Sequence, residues 1–74
     1  MFITMLRNQI AALTETRDAA LARMDEIAAA IEADETRSSA TDDEAAEVAT
    51  LETEARAAQA EIVEKQARLA ELEG

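Results

Sequence analysis

From Ile3 to Ile31 apolar side chains return at alternating steps of three and four residues, and from Val48 to Leu72 the alternation resumes. The first run is Ile3, Leu6, Ile10, Leu13, Arg17, Ala20, Met24, Ile27 and Ile31, with Arg17 its one charged member. The second is Val48, Leu51, Ala55, Ala58, Ile62, Lys65, Leu69 and Leu72, interrupted only by Lys65. A mean step of about 3.5 residues draws one stripe along an α-helix, the a and d positions of a heptad. Each run therefore predicts a long amphipathic helix. Nothing inside either run breaks it, since the chain has no proline and its single glycine is the terminal Gly74.

Between the runs the stretch ETRSSATDDEAAEV, Glu35 to Val48, stops the rhythm and restarts it. The expected organisation is one domain over residues 1–74, with a helix over about 4–34, a turn over about 35–41 and a second helix over about 42–73. Such a connection suits an αα-hairpin, where about 2–8 residues is usual. Thr41 is placed to cap the second helix: its hydroxyl can accept the Glu44 amide while the Glu44 carboxylate reaches back, forming a capping box. Asp42, Asp43 and Glu44 also favour the positive end of the helix dipole.

Folded back on itself, the chain pairs a positions of one helix with d positions of the other when residue numbers sum to 75. Ile27 then meets Val48, Met24 meets Leu51, Ala20 meets Ala55, Leu13 meets Ile62, Leu6 meets Leu69 and Ile3 meets Leu72. Arg17 falls opposite Ala58 and Lys65 opposite Ile10, so each cationic stem has apolar surface to lie along while its head reaches water. In this register Arg23 comes near Glu47 or Glu54, and Arg7 near Glu73. The fold class expected is all-α, two long helices forming an antiparallel coiled-coil hairpin.

A chain of 74 residues with one aromatic side chain and many alanines on its apolar stripe buries only a thin core. Self-association into a homo-oligomer is the expected remedy. Phe2, Met5, Leu21 and Val63 lie off the stripe, and Ala28, Ala57, Ala60, Ala67 and Ala70 leave side faces open to close approach by another helix. A net charge of −10 disfavours nucleic acid and anionic membrane surfaces as partners.

Catalysis is not expected. The chain has no His and no Cys, so the commonest general base, the thiolate nucleophile and the usual zinc ligands are missing. Two narrow helices do not enclose a substrate pocket, and no catalytic residue, cofactor, metal ligand or small-molecule substrate is assigned. The carboxylates Asp42, Asp43 and Glu44 lack the glycine-containing spacing of an EF-hand loop.

From Arg37 onward, RSSATDDEAAEVATLETEARAAQAEIVEKQARLAELE resembles the N-terminal segment of HK97-type phage major capsid proteins. In that family an arginine-containing turn leads to a Thr-x-Glu-Glu start, matched here by Thr41 and Asp43/Glu44, with later positions matched by Val48, Leu51, Glu54 and Ile62. The opening MLRNQIAALTETRDAALARMDEI is similar as well. The resemblance implies a scaffolding, or delta, domain that sits ahead of the capsid fold, helps capsid subunits associate into procapsids and is removed by a maturation protease. Its place would be the host cytoplasm and then the interior of the immature virion. The residues themselves equally allow a free-standing cytoplasmic coiled-coil adaptor or regulatory protein. A mimic of nucleic acid fits less well, because arginines are spread among the acids.

Overall fold

Ala, Leu, Glu and Arg, all good helix formers, make up more than half of the chain, and each half forms one unbroken helix. The computed structural model describes residues 2–36 and 39–74. Helix α1 runs Phe2–Ala33 and helix α2 Asp42–Glu73, each of 32 residues, and they pack antiparallel as a hairpin 55 × 16 × 16 Å in extent. Among the described residues there is no strand.

The boundaries differ from the expected ones by a few residues. α1 starts at Phe2 rather than about residue 4, and the Arg68 guanidinium of α2 lies over the Phe2 ring, 5.3 Å from its centroid. This cation–π contact ties the first turn to the other helix. At the far end α1 stops at Ala33, because Asp34 leaves the helix to accept bonds from the Thr36 amide (3.0 Å) and hydroxyl (2.6 Å). An aspartate that satisfies the backbone two residues on favours a turn over continued helix. Arg37, which carries part of the family resemblance, lies outside the described residues, as do Met1 and Ser38.

α2 restarts from a formed capping box. Thr41 is extended (φ −70°, ψ 166°), the Glu44 amide donates to its Oγ1 at 3.2 Å, and the Thr41 amide donates to Glu44 Oε1 at 2.9 Å. Inside the helices, Thr14, Thr16, Thr50 and Thr53 turn their hydroxyls back onto the carbonyls four residues earlier, which keeps them from competing for other backbone groups.

The core is a single file of side chains between the helices. Leu6, Ala20, Ile27, Ala55, Ala58 and Ile62 are its buried members among the described residues. Ile3, Ile10, Leu13, Arg17, Met24, Ile31, Val48, Leu51, Lys65 and Leu69 are half-buried, and Leu72 is exposed. Leu72 falls in the layer opposite Ile3, near the end of α2. Every layer that joins a d position of α1 to an a position of α2 contains a buried residue: Leu6, Ile62, Ala20 with Ala55, or Ile27. The intervening layers hold the two cations and are wetter, apart from Ala58, which is buried opposite Arg17.

Candidate association surface

The register is pinned at the flanks of the seam. On one flank Arg23 donates from Nε and Nη2 to both oxygens of Glu47, at 2.8 and 3.3 Å, and Phe2 lies under Arg68. Both pairs sum to 70. On the other flank Arg7 bonds Glu73, a pair that sums to 80. The two values straddle 75 equally, as they should for facing flanks of an antiparallel pair. Of the two acids open to Arg23 in the sequence reading, Glu47 is the one it takes. The bond from Arg23 holds the Glu47 carboxyl below its ordinary range, and the Glu47 and Glu26 carboxylates raise the Arg23 guanidinium. Arg23 and Glu47 are each more than two-fifths exposed, so the pair directs orientation more than it stabilises.

The two charged seam residues behave differently. Arg17, opposite Ala58, is tied down: its Nη1 donates to Gln59 Oε1 across the hairpin at 2.7 Å, and its Nε donates to Asp18 Oδ1 at 3.0 Å. Its side chain is 28% exposed. Lys65 is half-buried and makes no ion pair with the described residues. Gln59 as the cross-helix partner of Arg17 escaped the sequence reading, although its place one residue beyond Ala58 is a usable sign.

The off-stripe apolar residues divide between the two flanks. Leu21 and Val63, 43% and 54% exposed, line one open groove together with Met24, Ala55, Ala60 and the polar rim of Arg17, Glu52, Arg56 and Gln59. Its volume is about 760 Å³. Phe2 and Met5 line a hollow on the other flank with Thr4, Asn8, Gln9 and Ala12. The groove crosses the middle of the rod, whereas the hollow lies at its open end and the Phe2 ring is already partly covered by Arg68.

The rim of the groove does not share the acidic excess of the chain. In a chain of net charge −10 its rim carries two guanidinium groups, Arg17 and Arg56, against one carboxylate, Glu52. Glu52 bonds Arg56 one turn away. An apolar floor whose rim carries no excess of carboxylates can bury against another surface without stranding them.

Among the described residues no cluster of His, Cys, Asp or Glu is arranged to hold a metal ion, and no helix is long and apolar enough to cross a membrane. Fold and surface together define an acidic, all-α helical hairpin with an open apolar groove. No protein-family model matches the chain, and no curated protein or solved structure matches it.

Proposed function

We propose that the hairpin is an association module, and specifically a scaffolding segment of the kind that precedes the shell fold in HK97-type capsid proteins. It would draw attached subunits together by weak contacts between hairpins and be removed when the shell matures. The observation that carries the association reading is the uncovered groove at Leu21 and Val63, on a rod whose own core holds six buried side chains among the described residues. Leu21 and Val63 stand exposed beside Met24, Ala55 and Ala60, and a contact that covered them would remove their apolar surface from water. The capsid role rests on the likeness of Arg37–Glu73 and Met5–Ile27 to that family's N-terminal segment.

Weak contacts suit such a role. A modest contact between tethered copies gains strength through effective concentration, yet each one can be released in turn. The test is the intact mass of the polypeptide made by the native gene, compared between immature and finished particles. A product several times larger than 8.0 kDa that loses this segment on maturation supports the scaffold. A product of 8.0 kDa that never joins a larger chain overturns it in favour of a free adaptor.

A further inference from the structure

We propose that the occupant of the Leu21–Val63 groove is the same groove of a second copy, docked antiparallel with Leu21 close to the two-fold axis. The inference rests on the association reading above and gives it a face and a direction.

Charge selects the second copy and its direction. With the axis at Leu21, helices of like kind stack on each other, and residues of α2 whose numbers sum to 108 come face to face. Arg56 of each copy then meets Glu52 of the other, and Val63 of each rests over Ala45 of the other. On α1 the matching sum is 42, which sets Arg17 of each copy against Asp25 of the other. Both guanidinium groups of the rim thus find carboxylates. A parallel arrangement would set the two turn ends side by side, each with Asp34, Glu35, Asp42, Asp43 and Glu44. The antiparallel one holds those ends about 45 Å apart, at about 1.5 Å per residue, well beyond the Debye length of about 8 Å.

The area agrees with weak docking. About 25 residues of each helix overlap, some 37 Å of rod at about 1.5 Å per residue. Over a width of 16 Å this gives about 600 Å² per copy, and the total of about 1,200 Å² lies at the lower bound of specific interfaces. An isologous contact closes on itself, so a pair forms rather than a filament.

Because the chain has no cysteine, single cysteines report the geometry directly. Leu21→Cys under a mild oxidant should yield a covalent dimer faster than Met5→Cys, which is equally exposed but sits on the opposite flank. Leu21→Glu should weaken pairing by about tenfold or more, since the axis doubles every substitution, while helicity stays unchanged. If the wild type pairs but Met5→Cys crosslinks as fast as Leu21→Cys, or Leu21→Glu pairs as before, this face is wrong and the association reading stands. A wild type that stays monomeric overturns both.

Discussion

Truncating Ile62 to alanine measures how much of the hairpin is held by its single file of core residues. Ile62 is 2% exposed, and the register set by the flank pairs Arg23–Glu47 and Arg7–Glu73 places it opposite Leu13. The change removes three buried carbons, worth about 0.8 kcal/mol each as transfer from water, or about 2.4 kcal/mol. A residual cavity adds to this, but in a rod one side chain thick the neighbours can close in or admit water, so the total should stay near 2.5–3 kcal/mol. A 74-residue chain has about 4–11 kcal/mol to lose, and Tm should fall by about 10–20 °C. Leu72→Ala removes the same number of carbons from a residue 47% exposed in the terminal layer. It should cost about 1 kcal/mol or less. Thermal and urea unfolding followed by circular dichroism, at one fixed protein concentration, would compare the two. Equal losses, or a loss under about 1 kcal/mol for Ile62→Ala, would refute the assignment of the core.

Thr41→Ala removes the acceptor of the Glu44 amide and should cost about 1 kcal/mol, read in the same unfolding assay; an unchanged Tm would mean the capping box contributes nothing. Arg17→Leu exchanges a partly buried cation for an apolar side chain, and its partners Asp18 and Gln59 can return to water. Tm should rise, and a fall would show that the Arg17 bonds outweigh its desolvation. Glu47→Gln tests the flank clamp through pH. The folded-state pKa of Glu47 is depressed, so its contribution is present above the ordinary carboxylate pKa and is lost as pH falls through the lower folded value. The wild type should therefore melt above Glu47→Gln at neutral pH and converge with it in acid; a gap that persists in acid would refute the linkage.

The seam was legible because its spacing is regular and because each break in it was a single long cation that could reach solvent. The capping box was legible for a similar reason, as its two partners lie three residues apart in the chain. What the pattern did not disclose was local or lateral. The Asp34–Thr36 turn depends on a side chain choosing backbone over helix, and the Phe2–Arg68 contact depends on a flank position outside the a and d rows. Leu21 and Val63 stood out as apolar residues off the stripe, but their membership in one groove, with Phe2 and Met5 on the opposite flank, follows only when both helices are placed together. The heptad rule is silent about the unequal wetness of alternate layers, because it treats a and d alike.

The most direct test of association is sedimentation velocity of the wild-type chain over a wide concentration range. The account predicts a mass that climbs from 8.0 kDa toward twice that value, about 16 kDa, in a single reversible step while helicity stays constant. A mass fixed at 8.0 kDa up to millimolar concentration would contradict it.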